Sequence, residues 1–177
     1  CELQDKTWGI VGLGAIGRRV AQLAEAFGCK VLCYSASGHK YDSRYEQTDF
    51  DTLLAKSDFI SVHAPLNAYT ENLFTLDAFK KMKNTAIFIN VARGALVNEQ
   101  DLYTALTTDE IAGAALDVLC REPMDPENPL LKIQDSTRLL ITPHIAWAAK
   151  ETRFRVVEEV VQNIRRFQRG DTVNRVY

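Results

Sequence analysis

One stretch near the start of the chain constrains its fold more than any other: Trp8-Gly9-Ile10-Val11-Gly12-Leu13-Gly14-Ala15-Ile16-Gly17. An apolar run leads straight into Gly-x-Gly-x-x-Gly, and a helical pattern follows, which is the strand–turn–helix context of a dinucleotide-binding turn. In that reading Gly12 makes the tight turn and Gly14 leaves room for a pyrophosphate. Gly17 lets the helix pack against the strand, and the helix N-terminus offers its unpaired N–H groups to the phosphates. A glycine-rich connection in another kind of α/β protein also fits these residues.

The remaining pattern repeats the alternation. Strands are expected over 6–11, 30–34, 59–62, 86–90, 111–116 and 139–142, each short and apolar. Helices are expected over 15–27, with Ile16, Val20, Leu23 and Phe27 along one face, from Asp49 through Ala55, from Thr75, and over 99–106. A long helix over 150–167 carries Phe154, Val157, Val161 and Ile164 at spacings of three and four. Residues 35–47 read as a polar loop, and Pro123, Pro126 and Pro129 mark an irregular one. Wholly apolar strands alternating with helices specify a parallel sheet covered on both faces. The expected fold is therefore α/β, a doubly wound parallel sheet of the Rossmann type in three layers, α/β/α.

The 177 residues suit one such domain. Lys and Arg number 21 against 23 Asp and Glu, a net charge of −2, which argues against nucleic acid or an anionic membrane as the partner. No apolar run reaches the ~18 residues of a membrane span. Cys1, Cys29, Cys33 and Cys120 form no C-x-x-C pair and the three histidines lie far apart, so no metal site is expected and reduced thiols in a cytoplasmic protein are.

In such a sheet, ligands lie beyond the carboxyl ends of the strands. Four polar segments follow strands directly: 63–67, 90–94, 117–122 and 143–147. Arg93 there can hold a carboxylate through paired N–H···O bonds, or cap a turn. His144, if bonded to a carboxylate such as Glu122, becomes an oriented acid able to protonate a carbonyl oxygen; on spacing alone a lone surface histidine and an unrelated loop glutamate fit better. Asp117 can accept hydrogen bonds from a carboxamide or cap its loop.

The ordered set Gly12-Leu13-Gly14-Ala15-Ile16-Gly17, Asn90-Val91-Ala92-Arg93-Gly94, Asp117-Val118 with Glu122-Pro123, Asn128-Pro129-Leu130, and Thr142-Pro143-His144-Ile145-Ala146-Trp147 resembles the D-isomer-specific 2-hydroxyacid dehydrogenases over nearly the whole chain. The resemblance implies an Arg93–Glu122–His144 constellation. Arg93 would bind a 2-oxo acid, His144 would give and take the proton, and Glu122 would orient His144 and raise its pKa. It also implies a nicotinamide cofactor, NAD or NADP. Gly12, Gly14, Ala15, Ile16 and Gly17 would lie under its phosphates, Tyr34 and Ser35 beside the adenosine, and His63, Ala64, Pro65 and Thr70 near ribose and phosphates. Val91, Ala92, Arg93, Asp117, His144 and Ala146 would lie toward the nicotinamide. The Pro-His-Ile-Ala-Trp form looks most like the glycerate and hydroxypyruvate branch, and the family implies a homodimer.

Two features depart from the family pattern. The acidic residue that usually ends the second strand and repels a 2′-phosphate is replaced by Ser35, with Ser37, His39, Lys40 and Arg44 close by, so use of NADP as well as NAD is expected. Few residues precede the first strand, so residues 1–177 are read as the dinucleotide-binding domain alone, a fragment whose N-terminal substrate domain is absent and whose residues 171–177 form a returning tail. Trp147, Phe154 and Phe167 would then be apolar positions left without their neighbours. The competing reading is a cofactor-sensing binding module of the corepressor kind, which some proteins resembling this family are.

Overall fold

The computed structural model describes residues 2–40, 44–135 and 137–174. Cys1, the middle of the polar loop at 41–43 and the end of the expected tail at 175–177 lie outside the described residues. Two compact units are present, 1–143 and 144–177.

The first unit holds a seven-stranded sheet among its described residues, in the order β3-β2-β1-β4-β5-β6-β7, with every pairing parallel. Its strands are β1 (Thr7–Val11), β2 (Lys30–Tyr34), β3 (Glu46–Gln47), β4 (Phe59–Val62), β5 (Ile87–Asn90), β6 (Gly113–Leu116) and β7 (Leu139–Ile141). Helices α1 (Ala15–Ala26), α2 (Phe50–Lys56), α3 (Leu76–Lys80) and α4 (Glu99–Thr107) connect them, with 3-10 turns at Gly94–Leu96 and Pro129–Lys132. The doubly wound parallel fold is as expected, and Asp49 caps α2 by accepting the Thr52 N–H at 2.8 Å. The exception is β3: two residues at the end of the polar stretch join the sheet edge, too few and too polar to stand out in the sequence.

The core is built where the strands are fully apolar. All four residues of β4 are buried, and Phe74, Phe79 and Phe88 pack with ring centroids 4.7–6.1 Å apart. Helix α1 forms where expected, and its apolar stripe is not its buried face. Its buried face is Gly17, Ala21 and Ala24, while Ile16, Leu23 and Phe27 stand 60–68% exposed. The reason is the closeness of approach: a Cβ on Gly17 would run into the Gly12 carbonyl oxygen, so only small residues fit against the sheet. The larger side chains turn outward.

The second unit is α5 (Lys150–Gln168) with its leading turn. None of its helical residues is buried, and Trp147, Phe154 and Phe167 are exposed as the sequence reading anticipated.

Candidate functional site

The strand ends form one row. Tyr34 pairs with Val11, Val11 with Val62, Val62 with Asn90, Asn90 with Leu116 and Leu116 with Ile141. One further rung continues beyond them. The N–H groups of Gly12, His63, Asp117 and Thr142 donate to the carbonyls of Tyr34, Val11, Asn90 and Leu116 at 2.7–2.9 Å. Segments scattered over more than a hundred residues of sequence therefore leave the sheet at one level, and the polar groups that follow the strands share one edge.

At the centre of that edge is the glycine turn. Gly12 sits at φ +92°, and a Cβ there would come within 2.9 Å of the Ala64 backbone, so the turn and the end of β4 are in backbone contact. Gly14 is the opposite case: a Cβ on it would meet nothing within 4 Å. The space above Gly14 is open and faces the start of α1, whose first turn has no side-chain cap and no acidic residue. Unpaired N–H groups, a positive helix end and room for a close approach fit the pyrophosphate of a dinucleotide.

Beside the turn lies a cleft of about 430 Å³ lined by Ile16, residues 63–66 and residues 91–93. It brings together seven of the predicted cofactor residues: Ile16, His63, Ala64, Pro65, Val91, Ala92 and Arg93. His63 is held from behind, with its Nε2 3.0 Å from Ser61 Oγ, which in turn accepts the Trp8 indole N–H at 2.9 Å. Burial pushes the His63 imidazole down to about 4, so it lines the cleft as a neutral ring at pH 7. Thr70 is not among the lining residues. It is buried, its hydroxyl donating to the Pro65 carbonyl at 2.7 Å and accepting the Asn67 N–H at 2.8 Å, which fixes the turn after β4.

Arg93 is exposed at the head of the Gly94–Leu96 turn, and its guanidinium donates to the Ala92 carbonyl at 2.7 Å. The residue that shapes this loop is Asn90, which sequence reasoning noted only as a strand end. Fully buried, it accepts the Ala92 N–H at 3.0 Å and donates to the Arg93 carbonyl at 2.9 Å. Its signal was a polar residue closing the apolar strand Ile87-Phe88-Ile89-Asn90. Asp117, buried at the end of β6, has Thr142 Oγ1 at 2.5 Å from its Oδ1. Glu122 is exposed in the loop beyond, where its Oε1 accepts the Leu119 N–H at 3.0 Å.

His144 and Ala146 belong to the second unit. His144 has φ +53°, a left-handed conformation uncommon outside glycine, and its carbonyl accepts the Trp147 indole N–H at 3.0 Å. A non-glycine residue held in that region marks a position where backbone strain is accepted.

At the end of β2, where the adenosine is expected, Ser35 is buried, with its Oγ 3.2 Å from Ser37 Oγ. Of the basic residues expected nearby, Arg44 is already engaged, paired with Glu25 of α1 and stacked over Tyr45 at 5.4 Å. Lys40 lines a hollow with Gln47, Thr48 and Asp49. Among the described residues no group of three or more His, Cys, Asp or Glu is placed to hold a metal ion, and no helix is long and apolar enough to cross a membrane.

A family model described as the NAD-binding domain of D-isomer specific 2-hydroxyacid dehydrogenases matches residues 1–146. The chain belongs to that family. It is 41% identical over 177 residues to a hydroxypyruvate reductase of Blautia hydrogenotrophica, covering 98% of this chain and 53% of the relative. An acyclic imino acid reductase solved with NADPH and D-Arg superposes with a TM-score of 0.89 at 36% identity, covering all of this chain and 55% of that one. A D-isomer specific 2-hydroxyacid dehydrogenase from Lactobacillus delbrueckii ssp. bulgaricus, solved in its NAD-complexed form, gives 0.86 at 33% identity, with coverages of 97% and 56%. The chain thus spans about half the length of the proteins it matches.

Proposed function

We propose that this chain is the cofactor domain of an NAD(P)-dependent dehydrogenase that interconverts a 2-oxo acid and a D-2-hydroxy acid, of the hydroxypyruvate and glycerate type. The observation that carries the proposal is the shared strand-end row, which sets an open pyrophosphate cradle, the Arg93 turn and the Asp117 carboxylate along one edge. When bound, the nicotinamide supplies or takes up the hydride at the substrate's C2. In the reducing direction Arg93 holds the carboxylate of the 2-oxo acid, and His144 gives its proton to the oxygen that becomes the hydroxyl. Glu122 is the carboxylate assigned to orient the imidazole. Asp117, fixed by Thr142, accepts from the carboxamide. The products are the hydroxy acid and the oxidised cofactor.

Substrate alignment and water exclusion are assigned to a further domain, so this chain alone is expected to bind cofactor and to turn over 2-oxo acids poorly. Ser35 in place of a carboxylate supports acceptance of both cofactors; a preference for NADH of a hundredfold or more would exclude it. The exposed apolar side chains of α1 and α5 fit burial in a homodimer or against that further domain, and the free thiols of Cys29, Cys33 and Cys120 fit a cytoplasmic setting. No observation favours the cofactor-sensing module, and the relatives described above are reductases or dehydrogenases.

The deciding experiment is His144→Ala in the complete enzyme. Loss of turnover of a 2-oxo acid with cofactor affinity retained is expected. An unchanged rate would remove His144 from the mechanism, and a parent without dehydrogenase activity on a panel of 2-oxo acids would remove the function itself.

A further inference from the structure

Glu99 occupies a junction for which substrate and cofactor binding give no reason. It is the first residue of α4, and both its carboxylate oxygens are used. Oε1 accepts the Cys120 N–H at 2.7 Å and Oε2 accepts from Asn128 Nδ2 at 2.7 Å. These are short, charge-assisted bonds. Asn128 is buried and passes the connection on, its Oδ1 accepting the Leu130 N–H at 2.9 Å at the head of the Pro129–Lys132 turn. The two ends of the loop that carries Glu122 are therefore tied to one carboxylate.

The same short segment supplies the floor. A Cβ on Gly94 would collide with the backbone of Leu119 and Cys120, so the start of the Glu122 loop rests directly on the residue after Arg93. The chain from 93 to 99 thus provides the guanidinium, the seat and the clamp in succession. Glu122 is exposed in an irregular loop with three prolines, and its bond to the Leu119 N–H stays within that loop, whereas the ties to Glu99 and Gly94 cross to the segment that bears Arg93.

We infer that Glu99 is a positioning residue, clamping the Glu122 loop onto the segment that bears Arg93 so that the two charged groups keep one separation. Its consequence for turnover rests on the dehydrogenase reading; the clamp does not.

The test exploits hydrogen-bond complementarity. In the complete enzyme, Glu99→Gln leaves one acceptor for two donors, so either the Cys120 amide or the Asn128 amide loses its partner. Amide hydrogen exchange should accelerate at least tenfold at Cys120, or at Leu130 where the Asn128 side chain is the donor released. kcat/KM for the 2-oxo acid should fall by about ten- to a hundredfold, the range expected when reacting groups are displaced by an ångström or less. Cofactor affinity should stay the same, since the glycine cradle is untouched. Adding Asn128→Asp lets the new carboxamide at 99 donate to a carboxylate at 128, which still accepts from Leu130, so both exchange and kcat/KM should return toward the parent values.

Wild-type exchange and kcat/KM in Glu99→Gln would overturn the inference, as would a lowered unfolding midpoint with kcat/KM of the folded enzyme intact. If the single variant does not fold, the double variant decides: slow exchange at Cys120 supports the clamp and fast exchange overturns it. A parent enzyme inactive on 2-oxo acids sinks the dehydrogenase reading, and the exchange measurements then judge the clamp by themselves.

Discussion

Replacing Gly14 with alanine separates the needs of the fold from the needs of the ligand. Gly14 precedes α1 at φ −77° and ψ −160°, extended backbone that alanine adopts without strain, and a methyl group there has no neighbour within 4 Å. The substitution removes freedom from the unfolded chain only, so stability should hold or rise by about 0.4–1 kcal/mol. The methyl group would occupy the space through which a pyrophosphate approaches the first turn of α1. Overfilling a fitted contact costs about 1–3 kcal/mol, which corresponds to roughly 5- to 150-fold in Kd. Urea unfolding and calorimetric titration with NADH, run on the same preparation, read both quantities. The comparison variant is Gly17→Ala, whose Cβ would strike the Gly12 carbonyl; it should destabilise the fold by about 1–3 kcal/mol. Parent affinity in Gly14→Ala would show that the phosphates do not pass over this residue. A destabilised Gly14→Ala would show that the space above it is not open.

His63 makes stability depend on pH. Its folded-state pKa of about 4 lies below the ordinary 6.5, so the unfolded chain binds more protons between those values. The contribution of neutral His63 is complete above about pH 6.5 and is lost as the pH falls toward 4, by about 3 kcal/mol in all. Unfolding measured at pH 7 and pH 4.5 should show a smaller drop in His63→Asn than in the parent; equal drops would refute the assignment. At the adenosine end, Ser35→Asp should weaken NADPH at least tenfold while sparing NADH, and equal loss of both would mean that the side chain does not face the ribose.

The central strands were legible because they are covered by neighbouring elements and therefore mostly apolar, and the glycine turn because each glycine has a separate role. The buried face of α1 was not legible. The apolar stripe with Ile16, Leu23 and Phe27 does not mark the inward side, because the closeness of the helix to the sheet admits only Gly17, Ala21 and Ala24. Arg93 and Asp117 could be picked out because they follow strands. Glu99 and Thr142 could not, because what identifies them is a hydrogen-bond partner, and those partners, Asn128 for Glu99 and Asp117 for Thr142, lie more than twenty residues away.

The continuous row of paired strand ends has a consequence for how this domain can change. Parallel strands stand about 4.8 Å apart, so the edge from β2 to β7 is a scale of equal divisions, about 24 Å long over its five intervals. Backbone hydrogen bonds set the divisions, and no side chain can alter them. Loops may be exchanged at any mark, bringing a different acid, base or cation, while the distances between marks remain as they are. New substrates can therefore be acquired by editing what stands at each division, with the spacing that suits one extended ligand passed on unchanged.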